Sequence, residues 1–188
     1  MTEKKHGRRF HGAAKDLRSA ERMALLEVDR VVTLSAEGLA APRILDVGTG
    51  SGIFAEAFAA KGFAVTGIDT NSGLLQAAGR LVPAAQFKQA AAEEIPYGDG
   101  AFEVVFLGHV LHETDDPVGA LREARRVTTK RVVVLEWPYV KEEKGPPFEH
   151  RLAPEAVGDM AKLAGLGHVE VLKLAHMYLY RMTIEHLP

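Results

Sequence analysis

The residues best suited to chemistry lie close together. Asp46-Val47-Gly48-Thr49-Gly50-Ser51-Gly52 sets an acid and three glycines in one short stretch. Glycine permits torsions that a side chain forbids and lets a bound molecule come close to the backbone. Where such a stretch joins a strand to a helix, the free N–H groups of the helix N-terminus point at whatever lies above the sheet. Asp69 follows seventeen residues beyond Gly52. At the tip of the next strand, a carboxylate can accept both hydroxyl hydrogens of a ribose.

The spacing narrows the choice of ribose-bearing ligand. A dinucleotide fingerprint, G-x-G-x-x-G, needs its third glycine where Ile53 stands, whereas here the third glycine is Gly52. Asp46, two residues before the first glycine, would repel a pyrophosphate. It suits a cationic amino-acid cofactor such as S-adenosylmethionine, which carries a sulfonium and an ammonium group. No G-K-[ST] follows the glycines, so a phosphate loop is excluded.

A second group of reactive residues runs from Gly108 to Asp116. His109 is a candidate general base for an attacking nucleophile, or else shapes the pocket while its ring only packs. His112, three residues on, is expected to face the following helix in a structural role. Asp116 precedes Pro117 and reads as a helix cap. Glu113 and Asp115 read as solvated turn residues. Oxygen and nitrogen ligands of this kind would suit magnesium or manganese, but the capping explanation leaves no metal expected. Trp137 and Tyr139 are candidates for an aromatic wall, whose face would favour a sulfonium, or for packing against the last helix.

These residues need elements to position them. Leu17, Ala20, Ala24, Leu25, Val28, Val31 and Val32 recur at threes and fours, which predicts one amphipathic helix from Asp16 to near Ser35, with Gly38 beyond it. Residues 43–47 are a short apolar run between Pro42 and Gly48, read as a buried strand. A helix over 51–61 stopped by Gly62, a strand over 64–68 ending at Asp69, a helix over 72–81 and a short strand over 86–88 follow. Residues 102–107 read as the clearest buried strand, then a helix to about Val127 and a strand over 131–136. Residues 138–152, with Pro138, Gly145, Pro146 and Pro147, read as a loop, which with the N-terminal segment is the chain left over to cover a substrate. A helix from Pro154 to about Ala164 and strands near 169–174 and 177–183 close the chain. This alternation implies an α/β fold with a mainly parallel sheet covered by helices on both faces.

The totals agree with one domain over residues 1–188. The chain has 188 residues, 47% hydrophobic and 26% charged, enough for a sizeable core. Lys and Arg number 23 against 25 Asp and Glu, a net charge of −2 that argues against a protein built to grip a phosphate backbone. There is no cysteine, which removes disulfides, thiolate metal sites and cysteine nucleophiles. No stretch approaches the ~18 apolar residues of a membrane span, and the basic N-terminus lacks the apolar core of a secretory signal. The expected location is the cytoplasm. Residues 1–15 read as a tail, or as a lid in which Arg8, Phe10 and His11 fold over the site.

The segment ILDVGTGSGIFAEAFAAKGFAVTGIDTNSGLLQAA resembles the first two motifs of class I S-adenosylmethionine-dependent methyltransferases, and within them the group that includes the quinone-biosynthesis C-methyltransferases. The resemblance continues through AAAEEIPYGDGAFEVVFLGHVLHETDDPVGALREARRV and RVVVLEW, covering residues 43 to 137. It implies a Rossmann-like three-layer sandwich: a seven-stranded, mainly parallel sheet with an antiparallel last strand and an added N-terminal helix. It implies that Asp46, Gly48, Thr49, Gly50 and Gly52 hold the methionine part of the cofactor and that Asp69 takes the ribose. Thr70 and Asn71 would lie beside the adenine, Ala92 and Glu93 along its edge, and Gly108 and His109 where the fourth strand opens onto the methyl group. The family often carries an acid where this chain has Ala91, so Glu93 or a backbone carbonyl would have to meet the adenine amino group.

The implied function is methyl transfer to a small-molecule acceptor, with no nucleic-acid or membrane partner and with a homodimer left open. Arsenite methylation needs thiolates that this chain lacks. Methylation of nucleobase amino groups goes with an N/D-P-P-Y/F motif, where this chain has Leu107-Gly108-His109-Val110. Metal-dependent catechol methylation wants carboxylates at the ends of both the fourth and fifth strands, where His109 and Glu136 stand. The alternatives are a catalytically silent cofactor-binding or regulatory protein and, disfavoured by Ile53 and Asp46, a nicotinamide-dependent oxidoreductase.

Overall fold

The computed structural model describes residues 17–184. The expected tail or lid, with Arg8, Phe10 and His11, lies outside the described residues. Seven strands form one sheet in the order β3-β2-β1-β4-β5-β7-β6. They are β1 (Arg43–Val47), β2 (Ala64–Asp69), β3 (Gln86–Gln89), β4 (Phe102–Gly108), β5 (Thr128–Glu136), β6 (Val169–Lys173) and β7 (Tyr178–Thr183). Strands β1 to β5 pair in parallel, and β7 runs antiparallel between β5 and β6. The sheet is the one expected, including its antiparallel last strand.

Alternation along the strands makes two cores. In β4, Val105 and Leu107 pack with Leu45, Val132 and Val134. They face α5 (Pro117–Val127) and α6 (Pro154–Leu163), through Leu121, Ala124, Val157 and Ala161. Val104 and Phe106 point the other way, to Ile44, Val133 and Leu135. On that face lie α1 (Ala20–Leu26), α2 (Val28–Ala36) and α3 (Ile53–Ala60), which contribute Leu26, Val31, Val32, Phe54 and Phe58. Phe106 meets Phe54 at 4.7 Å and Phe58 at 5.6 Å between ring centroids, the latter edge-on.

Helix starts follow local chemistry. The Asn71 side chain accepts from the N–H groups of Gly73 and Leu74 and opens α4 (Ser72–Leu81). Asp116 accepts from Gly119 N at 2.8 Å, and Pro117 stands at the first helical position of α5, as read from sequence.

Two boundaries differ from expectation. The single helix over 16–35 is two helices, broken at Glu27, which adopts a left-handed conformation with φ 43°. The Glu27 carboxylate accepts from Ala175 N at 2.6 Å and from Arg30 at 2.9 Å. Tertiary contacts thus hold a conformation that helical periodicity does not reveal. Strand β5 begins at Thr128 rather than at residue 131, because the Thr128 hydroxyl is used inside the sheet, donating to Glu103 O at 2.9 Å.

Candidate functional site

The strand order changes direction between β1 and β4, and the crevice at their carboxyl ends is where open α/β sheets bind ligands. The turn after β1 fills that crevice. Gly48 has φ 66°, and a Cβ there would lie 2.1 Å from a Val110 methyl carbon, so both its torsion and its neighbour demand glycine. Beneath the turn, buried Asp46 accepts from the Thr49 hydroxyl at 2.6 Å. Burial pushes the Asp46 carboxyl up to about 7; Asp69 adds to the rise, and the hydrogen bonds from Thr49 and Ala55 only partly offset it.

Asp69 ends β2 and braces the site. Its Oδ2 accepts from Gly50 N at 2.9 Å and its Oδ1 from Asn71 N at 2.8 Å. A carboxylate has about four lone-pair positions, so each oxygen keeps capacity for a ligand hydroxyl.

Above these residues is a cavity of about 660 Å³, within the range of small-molecule sites. Gly48, Gly50, Asp69, Thr70, Asn71, Ala92, Glu93, Gly108 and His109 all line it. Asp46, Thr49 and Gly52 do not: the first two lie beneath the turn, and Gly52 packs against Ala78 and Val82. Glu93 accepts from Asp115 N at 3.2 Å.

The far wall comes from the ends of β4 and β5 and from flanking chain. His109 has φ 59°, is buried, and has no hydrogen-bond partner for either ring nitrogen. Its ring lies 5.3 Å from Trp137. Burial, then the positive charge of Arg22, holds its pKa well below the usual histidine value, so the ring is neutral.

His112 does not simply pack on the following helix. Its Nδ1 lies 2.8 Å from Glu136 Oε2, and its backbone N donates to Glu136 Oε1 at 3.2 Å. Burial opposes charge on this ring, but the carboxylate of Glu136, with Glu113 in support, outweighs it and raises the pKa. Trp137 lines the cavity. Tyr139 does not, being exposed and stacked on Phe148 at 4.7 Å.

The proline-rich loop was expected to cover the substrate, whereas α1 and Arg151 carried no such signal. Arg22 and Leu25 of α1 line the cavity, although the periodic pattern marks α1 only as a packing helix. Lys144 to Pro147 and His150 line it from the proline-rich loop. Arg151 shapes that loop with a side chain only 1% exposed. Its guanidinium donates to the carbonyls of Pro138 and Pro146 at 3.0 and 3.1 Å, to Lys144 O, and to Glu142 Oε1 at 2.6 Å. It also lies 5.7 Å from the Trp137 ring centroid.

Residues 45–135 match the family described as methyltransferase domain. The comparisons support a class I S-adenosylmethionine-dependent methyltransferase. Over 112 residues, 58% of the chain, this methyltransferase domain is 30% identical to the demethylmenaquinone methyltransferase of Renibacterium salmoninarum, covering 47% of that protein. Over 48% of the chain it is 36% identical to a ubiquinone biosynthesis O-methyltransferase of Pseudomonas aeruginosa, covering 41% of it. The chain thus spans less than half the length of these curated relatives. A SAM-dependent methyltransferase from Aquifex aeolicus shares the fold with a TM-score of 0.82 at 22% identity, over 92% of this chain and 97% of that one.

The residues of this methyltransferase domain fit the family's cofactor. Asp46 is a buried acid whose ionised form a cation would favour. Gly48 and Gly50 line the cavity without side chains, so a ligand can approach their backbone closely. No described helix is long and apolar enough to cross a membrane.

Proposed function

We propose that this protein transfers the methyl group of S-adenosylmethionine to a small-molecule acceptor. The observation that carries the reading is the single cavity joining Gly48, Gly50 and Asp69 on one side to His109 and Trp137 on the other. In this reading Asp69 accepts the ribose hydroxyls, Thr70, Asn71, Ala92 and Glu93 flank the adenine, and Gly48 and Gly50 meet the methionine part. Asp46, Thr49 and Gly52 support that turn from beneath. Gly108 and His109 face the methyl group.

The bound cofactor supplies the activated methyl group. What remains for the protein is to align the nucleophile and keep water out. Trp137, Leu25 and Pro146 give the acceptor side apolar walls. His109, as a neutral imidazole, can accept a hydrogen bond from an acceptor hydroxyl or amine and take its proton. The names of the curated relatives support an aromatic acceptor of the quinone-biosynthesis kind, and a flat ring would lie against Trp137.

The test is thermal denaturation with S-adenosylhomocysteine, NAD and NADP. S-adenosylhomocysteine is expected to raise the melting temperature by mass action. A shift with NAD and none with S-adenosylhomocysteine would overturn the reading. Asp69→Ala should weaken S-adenosylhomocysteine by about tenfold or more in calorimetry, since charge-assisted hydrogen bonds contribute about 1.5–3 kcal/mol. Unchanged affinity would remove the ribose role.

A further inference from the structure

Arg22 enters the cavity from α1, and nothing in the proposed reaction accounts for it. Its Nε is buried with no hydrogen-bond partner. Burial lowers its pKa and the charge of Glu113 acts against that, so the guanidinium remains a cation with an unmet donor. It acts electrostatically on both His109 and His112. His109, on the wall of the same cavity, adds two unmatched ring nitrogens. A neutral imidazole carries hydrogen on one of them. The cavity therefore has two N–H donors, one of them cationic, without an acceptor for either. Buried donors of native proteins are nearly always matched, and an exception calls for an explanation.

We propose that Arg22 is an anion-recognition residue of this cavity and that its ligand is a carboxylate, presented either by the amino-acid end of the cofactor or by the methyl acceptor. The proposal rests on the cofactor reading above. Chemistry selects the carboxylate. A guanidinium is planar and matches two carboxylate oxygens with parallel N–H bonds. A doubly charged phosphate would sit among Asp69, Glu93 and Glu113, which line the same cavity, and would meet more repulsion than a single charge. The remaining cations of the wall serve less well. Lys144 is already paired with Glu21 at 2.7 Å, across the cavity between loop and helix.

Calorimetry on the full chain decides the matter and separates the two sources. The probes are S-adenosylhomocysteine, 5′-methylthioadenosine, which lacks the amino-acid end, and benzoate added to the S-adenosylhomocysteine complex. The proteins are wild type, Arg22→Gln and Arg22→Lys, each checked for an unchanged melting temperature without ligand. If the cofactor supplies the carboxylate, Arg22→Gln weakens S-adenosylhomocysteine about tenfold or more, leaves 5′-methylthioadenosine unchanged, and Arg22→Lys recovers part of the loss. If the acceptor supplies it, Arg22→Gln leaves both nucleosides unchanged and abolishes benzoate binding. Equal binding of all three probes by wild type and Arg22→Gln overturns the proposal. So does an equal loss for both nucleosides, which marks Arg22 as a support of the fold. Wild-type protein that binds neither nucleoside overturns the cofactor reading itself.

Discussion

Asp46 illustrates how much of the site resides in single side chains. An acid pushed up to about 7 from an ordinary 3.8 has an unusual linkage sign. The unfolded chain loses this proton near pH 4 and the folded protein near pH 7, so stability falls across that window and is level above it. A cation bound above the Gly48 turn favours the ionised carboxylate. S-adenosylmethionine binding near pH 6.5 (roughly the middle of the histidine range) is therefore expected to release a proton. Titration calorimetry in two buffers of different ionisation enthalpy measures this directly. Asp46→Asn should abolish the buffer dependence; an enthalpy independent of buffer in the wild type would show that Asp46 does not sense the ligand. The acid and the glycines were legible in the sequence because their roles are local: strand end, turn, helix start. The partner of His112 was not. Glu136 lies on another strand, and only the parallel pairing of β4 with β5 sets the two strand ends side by side. The sequence assigned His112 a structural place against the next helix; the fold gives it a carboxylate.

At the scale of elements, strands and capped helices were legible wherever chemistry was local, as with Asn71 and Asp116. The break at Glu27 was hidden because its cause, Ala175 N, lies 148 residues away. The proline-rich loop was legible as a loop that covers the substrate, but its shape was not. Its shape depends on Arg151, which meets three carbonyls and a carboxylate from inside the protein. Arg151→Gln should loosen the loop more than it unfolds the protein, since the strands do not depend on it. Trp137 is the only tryptophan of the sequence and is buried under that guanidinium. The variant should therefore show red-shifted fluorescence and faster hydrogen exchange over residues 138–150, with a global loss of about 1–3 kcal/mol. Wild-type emission and exchange would show that the loop holds itself.

For the whole molecule, alternation of strands and helices made the mainly parallel sheet readable, and the antiparallel β7 came with the family resemblance. The loop after β5 was readable as cover for the site, but the part of α1 and the side chains that form the far wall were not. The same joining of strand ends affects global stability. His112 has a raised pKa in the folded protein, so its charge stabilises the fold below the ordinary histidine value, and that contribution is lost as pH rises through the folded value. Above pH ~7 the Asp46 contribution is level. Glu136→Gln is expected to flatten the fall of the urea midpoint as pH rises past the ordinary histidine value; an unchanged slope would mean that Glu136 does not raise the His112 pKa. The division of the walls has an evolutionary consequence. Apart from Arg22, the proposed cofactor contacts lie between Asp46 and His109, inside one continuous run of chain, while the opposite face is assembled largely from α1 and the Pro138–Arg151 loop. Insertions, deletions or recombination in those flanks change which molecule fits without altering a residue of the cofactor turn. A lineage can thus explore new acceptors at its margins while inheriting the reaction intact.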